Sequence, residues 1–256
     1  MSDARSEAIR AENITKTFGT VTALAGVSMH VARGETLGIL GDNGAGKSTL
    51  IKILTGFHQP DAGQVSVDGN PVNLGSVDEA RAFGIECVYQ DLALVNGLSI
   101  YHNLFLNREP LWGGFLKLLD HKTMRRRARE ALDEIGVNIP SIDVAVGQLS
   151  GGQRQAIAVA RAVSSNARIL LLDEPLAAMG AREARLIIDL IDRLKARGDI
   201  AIVMIAHNYA QTLEICDRVM LMQHGEVTFE SQTASTSAEE LLEIVRREYR
   251  AARGVL

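Results

Sequence analysis

Gly41-Asp42-Asn43-Gly44-Ala45-Gly46-Lys47-Ser48-Thr49 fits the spacing G-x-x-x-x-G-K-[S/T] of a phosphate-cradling P-loop. On its N-terminal side Thr36-Leu37-Gly38-Ile39-Leu40 predicts a short buried strand. On its C-terminal side Leu50, Ile51, Ile53 and Leu54 recur at helical spacing until Gly56 closes the run. Strand, glycine-rich loop and helix is the order such a cradle needs. The glycines let successive backbone N–H groups turn toward one point, and the helix N-terminus adds its positive dipole end there. Gly41, Asp42, Asn43, Gly44, Ala45, Gly46, Lys47, Ser48 and Thr49 are therefore the expected contacts of a nucleoside triphosphate. Within them Lys47 reaches the β- and γ-phosphates and Ser48 a magnesium ion. A glycine-rich surface turn is the competing reading, and the flanking strand and helix weigh against it.

The chain has 256 residues, 46% of them hydrophobic and 23% charged, which is enough to bury the core of one or two domains. Its formal net charge of -4 and the lack of a lysine/arginine stripe argue against nucleic acid as a partner, because backbone phosphates demand clustered positive charge. The one tight basic run, Arg125-Arg126-Arg127, lies in Lys122 to Ile135. There Met124, Ala128, Ala131, Leu132 and Ile135 form the apolar helical face, so the arginines read as a solvated surface. No run reaches the 18 or so apolar residues of a membrane-spanning helix. The N-terminus Met1-Ser2-Asp3-Ala4-Arg5 also lacks the features of a signal peptide, and the expected location is the cytoplasm. Cys87 and Cys216 lie among apolar neighbours without ligand spacing and are expected as buried free thiols.

Residues 9–35 carry partly alternating segments such as Val27-Ser28-Met29-His30-Val31, and Val65-Ser66-Val67-Asp68-Gly69-Asn70 reads as a strand entering a tight turn. Both suggest an antiparallel sheet beside the nucleotide core. From about 92 to 165 the pattern becomes helical. The core pattern resumes at Arg168 to Leu172, followed by a helix from Ala181 to Arg197 ended by Gly198 and an apolar strand Ile200 to Ala206. Buried strands alternating with amphipathic helices imply a mainly parallel sheet covered on both faces. The expected architecture is thus α/β, with an antiparallel β subdomain and an inserted helical subdomain. One domain over 8–251 is expected, divided into 8–90 with 166–230 as the core and 91–165 as the helical insertion. Residues 231–256 form a C-terminal part in which the polar Ser231 to Ser237 reads as a linker. Ser237 and Glu240 then cap a final helix carrying Leu241, Leu242 and Val245.

Leu149-Ser150-Gly151-Gly152-Gln153 adds a second anion site. Ser150, with Gln153 three residues on and Ala156, Ile157, Ala160 and Val163 beyond, reads as a capping box opening an amphipathic helix. Taken alone, an ordinary capped helix with a flexible glycine pair is an equal reading. Ile169-Leu170-Leu171-Leu172-Asp173-Glu174 is an apolar strand ending in two carboxylates, which alternation along a strand sends in different directions.

These three segments together resemble the ATP-binding cassette (ABC) family, in particular the nucleotide-binding subunit of an ABC transporter, over about Ile9 to Val227. The resemblance implies ATP and Mg2+ as ligands and a set of roles. Asp173 orders the magnesium, Glu174 is the general base for the water that attacks the γ-phosphate, and Lys47 and His207 contact that phosphate. His207 follows the strand Ile200 to Ala206, at the carboxyl edge where open α/β sheets bind ligands. Gln90, in Val88-Tyr89-Gln90-Asp91, is similar to the Q-loop glutamine that contacts magnesium and water. Phe18 stands where the family stacks an aromatic ring on adenine, with a packing role as the alternative. Ser150, Gly151, Gly152 and Gln153 of one subunit close over ATP held by the other, so one cassette per chain implies a homodimer or a pair with a second cassette.

The chain departs from the family pattern after Glu174-Pro175. Leu176-Ala177-Ala178-Met179-Gly180 stands where Thr-x-Ala-Leu-Asp is usual, so Gly180 replaces the D-loop aspartate that helps link the two ATP sites. Gly84 to Leu94, Leu98 to Ile100 and Asn103 to Pro110 are similar to the ATPases of fructose- and ribose-type monosaccharide importers. The implied function is to energise an integral-membrane permease on the cytoplasmic face of the membrane, with a sugar-binding protein as an indirect partner. A soluble ABC protein scaffolding assembly or repair, and a nucleotide-gated module with negligible hydrolysis, are the alternatives. The apolar Leu111 to Leu119, with the only Trp, is either a permease-docking surface or packing within the helical subdomain.

Overall fold

The computed structural model describes residues 6–113, 117–177 and 179–252. In chain order the first half holds β1 (Glu7–Phe18), β2 (Val21–Ala32), β3 (Thr36–Leu40), α1 (Lys47–Leu54), β4 (Ala62–Val67), β5 (Asn70–Val72), α2 (Val77–Ala82), β6 (Ile85–Val88) and α3 (Ile100–Leu104). A short ribbon follows, β7 (Leu111–Trp112) and β8 (Leu118–Leu119), then α4 (His121–Glu134) and α5 (Gly151–Ser164). The chain ends with β9 (Ile169–Asp173), α6 (Ala181–Arg197), β10 (Ala201–Ile205), α7 (Tyr209–Ile215), β11 (Arg218–Gln223), β12 (Glu226–Gln232) and α8 (Ala238–Ala252).

The main sheet runs β12-β11-β3-β10-β9-β6, with every neighbouring pair parallel except β11 and β12. Its central strands β3, β9 and β10 are apolar at nearly every position because both faces are covered, as a parallel sheet requires. Side-chain alternation divides them. Leu170, Leu172, Ile202 and Met204 join the core under α4, α5 and α6, whereas Ile169, Leu171, Ala201, Val203 and Ile205 join the core beneath α1 and the antiparallel strands. The second sheet is antiparallel in the order β2-β1-β4-β5. There Val27, Met29 and Val31 are buried and Ser28 is exposed, the alternation expected of a sheet with one wet face.

Helix boundaries follow local chemistry. The Asp120 carboxylate accepts from Thr123 N–H at the start of α4, and the Ser237 hydroxyl accepts from Glu240 N–H at the start of α8. Met124, Ala128 and Leu132 form the buried face of α4, leaving Arg125, Arg126 and Arg127 exposed.

Four expectations need correction. Ser231 and Gln232 belong to β12, paired with Val219 and Arg218, so the polar tail begins as an edge strand. In α8, Leu241 and Val245 are buried against Leu40, Val219 and Leu221, while Leu242 is exposed because it lies off that face. Cys216 is buried and its thiol is pushed up to about 12 by that burial, but Cys87 is only half-buried. Leu111, Trp112, Leu118 and Leu119 form an exposed ribbon and do not pack within the helices; Gly114, Phe115 and Leu116 of that stretch lie outside the described residues, as does Ala178.

Candidate functional site

The parallel register brings the ends of β3, β10 and β9 to one edge. Ile39 pairs with Ile205, and Ile205 with Asp173, so the chain leaves all three strands at the same level. The P-loop follows β3, Glu174 follows β9 and His207 follows β10. The main-chain path through the loop is possible only for glycine at two points. Gly41 has φ 146° and a side chain there would lie 2.2 Å from the Met222 carbonyl oxygen. Gly46, at the start of α1, has φ 101°, and its Cβ would meet the Ala23 carbonyl oxygen at 2.6 Å. The loop is also tied from behind, as Gly225 N–H donates to the Ala45 carbonyl oxygen at 3.1 Å.

Lys47 is buried, and its Nζ donates to the Gly41 and Asp42 carbonyl oxygens at 2.6 and 2.8 Å. Burial lowers its pKa, opposed by the negative charges of Glu174, Asp42 and Asp173. A polyphosphate would oppose that lowering further. Burial raises the pKa of Asp173, the neighbouring Glu174 adds to this, and Lys47 counters it. The three groups therefore share one electrostatic site. Ser48 is exposed and Thr49 half-buried on the first turn of α1, beside the exposed Asp42, Asn43 and Gly44.

Strand alternation does not separate the two carboxylates, because β9 ends at Asp173. Glu174 instead adopts φ 51°, a left-handed conformation uncommon for a non-glycine residue. Its N–H donates to the Ile205 carbonyl oxygen at 3.0 Å, which fixes the bend. The bend leaves Glu174 Oε2 3.7 Å from His207 Nδ1, on the rim of an open cleft of about 190 Å³ lined also by Pro175, Met179 and Asn208.

The other expected residues lie further out. Gln90 is exposed just past β6, whose end is held to α1 by a Tyr89 hydroxyl to Thr55 Oγ1 bond of 3.1 Å. Phe18 is exposed at the end of β1, its ring edge-on to His58 at 5.2 Å, with Lys16 Nζ 5.6 Å from the ring centre. Ser150 and Gln153 form the capping box in full: the Ser150 hydroxyl accepts from Gln153 N–H, and Gln153 Oε1 accepts from Ser150 N–H. Two residues that sequence reasoning missed tie this turn and the helix it opens to neighbouring segments. Glu183, on the first turn of α6, accepts from Gly152 N–H at 3.4 Å, which with the Ser150 hydroxyl lowers its pKa. Arg161, on α5, donates to the Leu92 and Ala93 carbonyl oxygens at 2.7 and 2.9 Å and so holds the segment after Gln90. Neither partner is readable from spacing, since each lies on a different element.

Gly180 begins α6 with an extended backbone, and nothing lies within 4 Å of a side chain built there. The glycine is thus not imposed by the fold.

Known proteins are similar to this chain in sequence and fold. Residues 24–177 match the family model described as ABC transporter. A xylose/arabinose import ATP-binding protein of Sulfolobus acidocaldarius is 44% identical over 94% of each chain. A fructose import ATP-binding protein of Rhizobium meliloti is 41% identical over 87% of each. A ribose import ATP-binding protein of Corynebacterium glutamicum is 40% identical over 93% of this chain but only 44% of its own length. Among solved structures, an ATP-binding cassette of an ABC transporter in its ADP conformation superposes with a TM-score of 0.79 at 29% identity, covering 92% of this chain and 93% of the other. A dimeric cassette in a post-hydrolysis state with ADP and phosphate gives 0.73 at 27% identity, covering 88% and 98%. A glycine cradle with a buried lysine, a carboxylate just past a strand end and 3.7 Å from a histidine, and a capped Ser-Gly-Gly-Gln turn accord with these likenesses, and the chain belongs to the ATP-binding subunits of the ABC transporter family.

Proposed function

We propose that this ATPase drives the import of a monosaccharide through a membrane permease, with ATP hydrolysed between two copies of the cassette. The observation that carries the reading is the likeness to xylose/arabinose and fructose import proteins along nearly the whole of both chains. No described helix is long and apolar enough to cross a membrane, and the reading assigns the translocation path to the permease.

In this reading the backbone N–H groups of Gly41 to Thr49 and the Lys47 ammonium hold the triphosphate. Ser48, Gln90 and Asp173 offer hydroxyl, amide and carboxylate oxygens, a hard donor set that fits Mg2+, which neutralises charge on the phosphates when bound. Glu174 accepts a proton from water as the water oxygen bonds to the γ-phosphorus and the bond to the ADP oxygen breaks. His207, 3.7 Å from the Glu174 carboxylate, is the group that this reading assigns to the γ-phosphate. Phe18 offers a ring face to adenine. Ser150 to Gln153 of one copy close on the γ-phosphate of the other, and release of phosphate reopens them.

The test joins two measurements. Glu174→Gln is expected to lower ATP turnover at least about a hundredfold while ATP binding persists. The tagged wild-type chain, purified from native membranes, is expected to bring a polytopic permease with it. Unchanged turnover in the variant overturns the catalytic assignment, and soluble partners alone overturn the importer reading.

A further inference from the structure

We propose that the β7–β8 ribbon is a lipid-contacting wedge that seats the cassette directly on an anionic bilayer surface. Leu111 pairs with Leu119 and Trp112 with Leu118. Cross-strand partners share a face and successive pairs take opposite faces, so each side of the ribbon carries two large apolar side chains. All four are exposed, from 41% at Leu119 to 61% at Trp112. A ribbon docked flat on a protein surface needs one apolar face. Two open apolar faces on strands of two residues are instead covered when the ribbon enters a medium that surrounds it, as the headgroup and upper acyl region does. Trp suits that depth, with an apolar body and an N–H that stays hydrated.

Charge supports the same occupant. Residues 106–130 carry seven Lys or Arg against three Asp or Glu, in a chain of net charge -4. Lys117 in the ribbon and Lys122 on α4 are exposed, and Lys122 lies away from the buried Met124–Ala128–Leu132 face, whereas the exposed Arg126 is paired with Glu130 at 2.9 Å. The ribbon is also braced: Asp120 N–H donates to the Pro110 carbonyl oxygen at 2.8 Å, and the Asp120 carboxylate caps α4. Ribbon and cationic helix are therefore held to one another at Asp120. Hydrophobic insertion combined with attraction to anionic lipid is the pattern of interfacial anchoring.

Trp112 is the only tryptophan, so its emission reports on the ribbon alone. The full chain is mixed with vesicles of equimolar phosphatidylglycerol and phosphatidylcholine whose acyl chains are brominated. The expected result is a blue shift and quenching of Trp112, weaker with phosphatidylcholine alone and reduced by salt. Leu118→Glu is expected to abolish the quenching. Lys117→Ala and Lys122→Ala each lower the vesicle partition about fivefold, the worth of one basic residue near a charged surface. Both positions are exposed, and circular dichroism checks that the fold persists. Unshifted emission with no vesicle binding at low salt overturns the proposal. So does a shift seen only with a detergent-solubilised permease, which assigns the ribbon to a protein contact. The vesicles contain neither nucleotide nor permease, so failure here leaves the importer reading standing.

Discussion

Glu183 places a negative charge against the turn proposed to meet the terminal phosphate of ATP in a partner copy. Its carboxylate accepts from Gly152 N–H, and its Cβ packs so closely on Gly152 that a side chain there would lie 2.9 Å away. The Gly152 N–H and Ser150 hydroxyl lower its pKa, so the group is ionised at neutral pH. Glu183 therefore both shapes the turn and repels the anion that the turn is built to attract. Glu183→Gln keeps the shape and removes the charge. ATP-driven association, read by sedimentation velocity in a Glu174→Gln background, is expected to tighten about threefold, the scale of one like-charge repulsion across several ångströms of water. The gain shrinks as salt rises. Weaker association would instead mean that the charge supports the turn.

At the scale of elements, the end of β1 is clamped to β4 by Asp61. One carboxylate oxygen of Asp61 lies 2.7 Å from Lys16 Nζ, and the other accepts from Thr17 N–H at 2.7 Å, so the stem of Phe18 is held from beside it. The Lys16 bond, then the Thr17 N–H, hold the Asp61 pKa below its ordinary value. The unfolded chain therefore takes up the proton first. The clamp contributes fully above the ordinary aspartate pKa of about 3.9 and is lost as pH falls through the lowered value. Asp61→Asn is expected to be less stable than wild type at neutral pH, the gap closing in strong acid, as read by urea unfolding at both pH values. A constant gap would show that shape and not charge is at work. The elements that position the P-loop were legible because each carries its own period: Thr36–Leu40 is uniformly apolar, and Ala181–Arg197 is striped and ends in a glycine. The edge strand β12 was not, since an edge is half-wet and its polar composition imitates a linker. Nor was the ribbon, whose two-residue strands are too short to show alternation. The Glu174 bend and the Glu183 contact escaped for a different reason: backbone dihedrals and partners on other elements leave no spacing in the sequence.

At the scale of the whole molecule, the C-terminal helix completes the wall behind the nucleotide site. Leu241 and Val245 of α8 pack on Val219 and Leu221 of β11 and on Leu40, the residue immediately before the P-loop. Glu248 reaches the same region, where it lines a small cavity with Asp42, Asn43 and His224. A tethered tail would tolerate change at Leu241 within about 0.5 kcal/mol, as exposed positions do. Leu241 is instead fully buried, so Leu241→Ala is expected to destabilise the apo-protein by about 2–5 kcal/mol. Because the cavity opens behind Leu40, the lost packing loosens the base of the P-loop, and nucleotide affinity falls with stability. ATP binds only the folded state, and at a hundred times its Kd it returns about 2.7 kcal/mol to any variant that keeps the site. Thermal unfolding with and without ATP separates the two effects. A full ATP-induced rise in Tm at matched concentration means that α8 supports the fold alone, and a diminished rise means that its packing reaches the phosphate cradle through Leu40.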